Sequence, residues 1–272
     1  MQYHVLALDL DGTLTNRDKV VTPRTRAALL AAAARGVRIV LASGRPTVGI
    51  EPLAQELALA RSGGCILSYN GGKIVDCAAG AVLVQHAFPP ELIAPVCAFA
   101  HENGVQALTY DDRGVLAENA ADPYVQEEAR INRIPVNTVP ELAAAVHFPV
   151  NKFLLVGDPA RMPEVEEKMQ QRFAGRLSIY RSQPFFIETM PLGVEKAASL
   201  RLLLERYGLG PQNLMACGDG WNDLPMLALA GLGVAMGNAV PEVKAAADFV
   251  TADNDHDGVG LAVEKFLLQK EG

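Results

Sequence analysis

The sequence predicts an α/β fold in which a parallel sheet flanked by helices is interrupted by a second, α+β domain. Short, largely apolar runs recur with helical segments between them: Val5–Leu8, Val37–Leu41, Cys65–Ser68, Leu214–Cys217 and Gly233–Ala235. Strands buried on both faces read this way, and helical crossovers between them imply a parallel sheet. Beyond Pro89-Pro90 the strands alternate more clearly, and the strand-helix rhythm returns only after Pro191. At 272 residues the chain also exceeds the usual single domain of ~100–200 residues, which leaves room for both parts.

Taken in order, Val5–Leu8 is a buried strand that runs into acidic residues and Gly12. Thr22-Pro23 reads as an N-cap followed by proline at the first helical position, and the alanine-rich helix Arg24–Arg35 closes at Gly36. The strand Val37–Leu41 stops at Ser43-Gly44-Arg45-Pro46, and a helix spans Val48–Leu59. The strand Cys65–Ser68 ends at Asn70-Gly71-Gly72, before a short hairpin across Gly80. The middle of the chain carries helices over Glu91–Glu102, Tyr124–Ile131 and Met162–Ala174, with strands Val105–Tyr110, Lys152–Val156 and Leu177–Tyr180 in an antiparallel sheet. The last third predicts helix Val194–Tyr207, strand Leu214–Cys217, helix Asp223–Leu229 and strand Gly233–Ala235. Helix Pro241–Ala246, strand Asp248–Val250 and a terminal helix Gly258–Gln269 complete it.

Composition narrows the function. With 24 basic against 31 acidic residues the net charge is −7, and no basic run interrupts it, so a nucleic-acid partner is not expected. Four cysteines without a CxxC and five histidines without an HxxxH argue against a zinc site, and suit a reducing cytoplasmic setting. No basic segment precedes the first apolar run, which Asp9 ends early, so no signal peptide is expected. The charge-free run Leu224–Pro241 comes near the ~18 residues of a membrane span, but its glycines and prolines divide it into short elements.

The chemistry concentrates where strands end. In Asp9-Leu10-Asp11-Gly12-Thr13-Leu14 two carboxylates lie two residues apart at the C-terminal end of a strand, so they share one side. Open α/β sheets bind ligands at that end. Two ionised carboxylates so close are costly without a cation, which implies a hard metal such as Mg2+. Gly218-Asp219-Gly220-Trp221-Asn222-Asp223 closes another apolar strand with a second acidic cluster. Asp223 alone could simply favour its helix N-terminus, but that does not explain Asp219. Ser43-Gly44 offers a hydroxyl and an unobstructed amide to an anion. Lys196, in the first helical turn after Gly193, could join its helix N-terminus in binding one, although a lone lysine there also reads as a solvated surface residue.

Together these segments resemble the haloacid dehalogenase-like (HAD) phosphatase superfamily: DxDGT, a strand-end Ser/Thr, a helical Lys and GDxxND, in that order. The chain looks most like the Cof-type branch with the large IIB cap, on Ala34-Arg35-Gly36-Val37, Tyr69-Asn70-Gly71, Gly233-Val234-Ala235-Met236-Gly237-Asn238-Ala239 and Asn254-Asp255-His256-Asp257-Gly258-Val259. Within that branch it is most similar to bacterial sugar-phosphate phosphatases. The resemblance implies a Rossmann-like core over 1–84 and 189–272, split by an α/β cap over 85–188 that sets specificity. It implies Asp9 as nucleophile and Asp11 as general acid/base, with Leu10, Ser43, Gly44, Lys196 and Asn222 holding the phosphoryl group. Mg2+ would be bound by Asp9, Asp11 and Asp219, the second through its backbone carbonyl, with Asp223 in contact directly or through water. Asn70 could orient Asp11 or serve as a left-handed turn residue, and the run around His256 reads as a loop and N-cap.

The implied activity is hydrolysis of small phosphorylated metabolites through an aspartyl-phosphate, by a monomer or small homo-oligomer. A phosphotransferase or phosphosugar mutase of the same superfamily and a non-enzymatic phosphometabolite sensor are the alternatives. In the cap, Tyr124, Arg130, Lys152 and Glu188 are candidate substrate contacts.

Overall fold

The computed structural model describes residues 2–269. The chain divides into two compact units, one comprising the residues up to Gly44, Ile50–Val84 and those from Glu195 onward, the other Arg45–Gly49 and Gln85–Val194. The first is a Rossmann-like core and the second an inserted α+β cap.

The core begins with β1 (Val5–Leu8), β2 (Arg38–Ala42), β3 (Cys65–Ser68), β4 (Lys73–Asp76) and β5 (Val82–Gln85). The second unit supplies β6 (Gln106–Tyr110), β7 (Val115–Ala117), β8 (Val136–Thr138), β9 (Phe153–Val156), β10 (Leu177–Gln183) and β11 (Phe186–Pro191). The chain then returns to the core as β12 (Leu214–Gly218), β13 (Leu232–Ala235) and β14 (Phe249–Val250). The core sheet runs β14-β13-β12-β1-β2-β3-β4-β5, parallel from β14 through β3. β1 lies at its centre, with Leu8 in register with Cys217 on one side and Leu41 on the other. All four residues of β1, β3 and β13 are buried, as continuous apolar runs require. Leu6, Leu8, Val40, Leu41, Met215 and Val234 belong to one core around this sheet.

Helix Pro23–Ala34 starts as its sequence predicts, with Thr22 accepting from the Thr25 amide. The expected helix over 48–59 is instead two: Thr47–Glu56, then Leu59–Ser62 after Ala58 turns into the left-handed region at φ 52°. The terminal α-helix ends at Val263, and Glu264–Leu268 continues as a wider π turn.

The second unit's sheet runs β10-β11-β9-β6-β7-β8, antiparallel except for the parallel β7–β8 pair. Its core is aromatic: Phe88 meets Phe153 edge-on at 5.0 Å, and Phe99 meets Phe173 at 6.0 Å. β7, β8 and β11 are absent from the sequence expectations. No helix among the described residues is long and apolar enough to cross a membrane.

Candidate active site

The parallel register carries the acids to one end of the sheet. Asp9 follows β1 and Asp219 follows β12, so two neighbouring strands deliver carboxylates from residues 210 positions apart in sequence. The Asp9 amide donates to the Cys217 carbonyl at 3.1 Å, tying the strand ends together. Gly12 makes the close approach possible: its φ is +85°, and a Cβ there would lie 2.4 Å from Asp219 Oδ2. Thr13 Oγ1 donates to Asp219 Oδ1 at 2.7 Å.

Lys196 is the residue whose environment departs furthest from its sequence appearance. It opens helix Lys196–Arg206 and is 1 % exposed, so the surface-lysine alternative does not hold. Its ammonium donates to Asp9 Oδ1 at 2.6 Å and to Asp223 Oδ1 at 2.7 Å. Asp223 is equally buried, and its other oxygen accepts from the amides of Asp219 and Gly220 at 3.0 and 3.1 Å. A helix-dipole role alone is therefore too little for Asp223. It clamps its own loop and anchors the lysine.

Asp9, Asp219 and Asp223 each offer a carboxylate oxygen within 4.8 Å of the others. Three carboxylates thus crowd a largely buried site in which one ammonium bonds two of them. Burial pushes the Asp9 carboxyl up to about 8, Asp223 and Asp219 add to this, and Lys196 opposes it. Asp219 is also raised, by burial first, then by Asp223 and Asp11 against the Thr13 bond and Lys196. Burial works against the Lys196 charge, but Asp9 and Asp223 outweigh it and hold its pKa above the ordinary value. A donor set of oxygens with excess negative charge fits a hard divalent cation.

The other expected residues fall around the strand ends in different ways. Asp11 lies beyond the β1 terminus, and its Oδ1 accepts from Lys19 Nζ at 2.6 Å. Leu10 is buried, and its carbonyl accepts from both the amide and the hydroxyl of Thr15. Ser43 is buried just past β2, its amide donating to Leu67 and its carbonyl accepting from Asn70. A Cβ on Gly44 would meet the Asn70 amide group at 3.1–3.3 Å. Asn222 Nδ2 donates to Asn70 Oδ1 at 3.4 Å, so Asn70 joins the Ser43-Gly44 and Asn222 loops while holding a left-handed turn at φ 53°. His256 pairs with Asp253 in an exposed loop.

Thr13, Lys19 and Asn238 are functional candidates without a role in the sequence expectations. Thr13 stands inside the quoted DxDGT motif. Asn238 Nδ2 donates to the Gly12 carbonyl at 2.7 Å and stands in the quoted GVAMGNA run. Lys19 had no distinguishing signal in sequence. In the second unit, Lys152 Nζ donates to Glu188 Oε2 at 2.8 Å with both side chains buried, Tyr124 stacks on Phe185, and Arg130 pairs with Glu127 at the surface.

The haloacid dehalogenase-like hydrolase family matches residues 6–263. The chain belongs to that family. A solved HAD-like hydrolase from Bacteroides thetaiotaomicron is 44% identical, covers 97% of this chain and 99% of its own, and superposes with a TM-score of 0.95. A subclass IIB HAD sugar phosphatase superposes with a TM-score of 0.77 at 28% identity, over 96% of this chain and 98% of its own. The 5-amino-6-(5-phospho-D-ribitylamino)uracil phosphatase YcsE of Bacillus subtilis is 31% identical over 97% of this chain and 96% of its own. The HAD core and IIB-type cap are thus shared with phosphatases, and the buried aspartate cluster lies where the motifs of this HAD chain converge.

Proposed function

We propose that this HAD protein is a Mg2+-dependent phosphomonoesterase of small phosphorylated metabolites, sugar phosphates foremost. One observation carries the reading: Lys196 bridges Asp9 and Asp223 at the ends of two central strands, with Asp219 beside them. This arrangement offers a nucleophile, an anion-binding cation and a metal-binding acid cluster at one point. Among similar proteins, a sugar phosphatase and a phosphoribityl-substrate phosphatase support an aliphatic polyol phosphate as substrate.

In this mechanism Lys196 holds Asp9 Oδ1, and the other carboxylate oxygen attacks phosphorus. The ester P–O bond breaks as Asp11 delivers a proton to the leaving oxygen. Asp11 then takes a proton from water as that water attacks the aspartyl-phosphate, which restores Asp9 and releases phosphate. Leu10 and Gly44 offer backbone amides, and Ser43, Lys196 and Asn222 offer side-chain donors to the phosphoryl oxygens, so most of the catalysis is positioning and charge neutralisation. Asp9, Asp219 and the Asp11 carbonyl would hold Mg2+, with Asp223 in contact directly or through water. When bound, that ion supplies positive charge to the phosphoryl oxygens and relieves the repulsion among the acids. The catalytic domain comprises 1–84 and 189–272, and the 85–188 cap selects the leaving group.

Phosphate release from a panel of sugar and polyol phosphates, with Mg2+ or with chelator, tests the proposal. Release that is equal in chelator, or undiminished in Asp9→Asn, overturns it. Transfer of phosphate to an added sugar in place of water would instead make the protein a phosphotransferase.

A further inference from the structure

Lys19 lies outside the acid–lysine cluster described above, yet its ammonium is 2.6 Å from Asp11 Oδ1. The contact is between side chains eight residues apart, and both are substantially exposed, at 49% and 38%. A pair this open to water contributes little to folding. Stability is therefore a poor reason for the contact.

The backbone around Lys19 makes the same point. Lys19 occupies a left-handed conformation at φ 59°, a position where glycine is the unstrained residue. The turn that holds it is closed by the Lys19 amide on the Asn16 carbonyl and the Asn16 amide on Val20. Asn16 Oδ1 accepts from the amides of Asp18 and Val20 as well. Its flanks are fastened to a separate loop: Arg17 donates twice to Asp255, and Asn254 Nδ2 donates to the Thr15 carbonyl at 2.8 Å. Thr15 in turn closes back on Leu10, beside Asp11. A well-fastened turn thus carries a lysine at a glycine-like position, and that lysine ends on the proposed proton donor.

We infer that Lys19 is a positioning residue for Asp11. By binding one carboxylate oxygen it restrains the side-chain rotamer from which the acid serves the ester oxygen of the substrate. This rests on the role of Asp11 proposed above. As the P–O bond breaks, the proton passes from Asp11 to the leaving oxygen, and the resulting carboxylate remains paired with the Lys19 ammonium. Lys19 itself neither gains nor loses a proton.

The inference separates substrates by leaving group. A leaving group that departs readily as an anion needs no donated proton, whereas a poor one does. Wild type, Lys19→Met, Lys19→Arg and Asp11→Ala are compared at saturating Mg2+ on 2,4-dinitrophenyl phosphate, 4-nitrophenyl phosphate and phenyl phosphate. The readout is kcat/KM, which covers the steps through the first phosphoryl transfer. Lys19→Met is expected to stay within about two-fold of wild type on the dinitrophenyl ester and to fall roughly ten-fold or more on phenyl phosphate. Lys19→Arg keeps most of the phenyl phosphate activity, and the thermal midpoint of both variants is unchanged. Asp11→Ala shows the same leaving-group trend more steeply. An equal fall on all three esters, or none, with an active wild type, overturns the role of Lys19 alone. A wild type inactive on every ester overturns the phosphatase proposal, and the role of Lys19 with it.

Discussion

The core unit buries Lys196 against Asp9 and Asp223, with Asp219 beside them; the second unit buries Lys152 against Glu188, with Glu128 close by. The ingredients are nearly the same, but the partners differ. In the second unit Ser182 donates to Glu188 Oε1 at 2.9 Å, and Tyr110 and Asn132 donate to Glu128 Oε1 at 2.6 and 2.7 Å. Burial raises the Glu128 pKa against the pull of Lys152 and these donors, a direction that reduces its charge. Each carboxylate of that cluster thus has donors from its own unit. The core cluster has a third carboxylate, and among the described residues the ammonium bonded within it is Lys196, so in its ionised form it carries unspent negative charge. An ionic group built for architecture balances internally, whereas one suited to binding leaves a deficit for a ligand to fill.

The largest expected effect comes from Asp9→Asn. It keeps the side-chain shape and an oxygen that can accept from Lys196, so the fold should survive while phosphatase kcat falls by at least roughly 10⁴-fold. A loss of folding, seen by circular dichroism, would place this cluster in the architectural class. Glu188→Leu should do the opposite: it removes the carboxylate that accepts from the buried Lys152 ammonium and lowers stability by about 3 kcal/mol. Denaturant melts check this, and a second substitution, Lys152→Met, should recover most of the loss. If the double variant is no more stable than the single, the pair is not what holds this site.

Protons sharpen the contrast further. The Asp9 carboxyl titrates near 8 in the metal-free fold, against an ordinary value of 3.8. Between these values the folded chain keeps a proton that the unfolded chain has released, so metal-free stability falls as pH rises through that window. A divalent cation replaces the proton, and its stabilisation should grow in the same direction. The rise in thermal midpoint on adding Mg2+ should therefore be several degrees larger at pH 8 than at pH 5. A pH-independent rise would contradict the charge deficit. Smaller still is Thr13→Val, which removes the 2.7 Å bond to Asp219 and should weaken Mg2+ binding about ten-fold by calorimetry.

Much of the core was legible because its chemistry is local. Buried parallel strands are continuous apolar runs, and the acids that interrupt them at Asp9 and Asp219 mark the strand ends directly. Lys196 was placed near the site, but its burial was not readable, since one lysine at a helix start looks the same in water or between two aspartates. β11 escaped for a related reason. Glu188 and Thr189 lie in a buried stretch, where Glu188 is bonded by Lys152 and Thr189 by Met169, both distant in sequence. β7 and β8, at three residues each, are too short to show a period. Lys19 was invisible because its significance lies in a backbone angle and one contact.

The central position of β1 also bears on how the molecule comes into being. Its neighbours in the sheet are β2, some thirty residues later, and β12, more than two hundred later. On the ribosome, a nascent chain has Asp9 early but lacks Lys196, Asp219 and Asp223 until most of the polypeptide has been synthesised. The middle unit has its own sheet and aromatic core and can form in that interval. Pairing across so long a separation is slow compared with local contacts. The chemistry therefore switches on only when the late strand docks, so the growing chain passes most of its synthesis without a competent site.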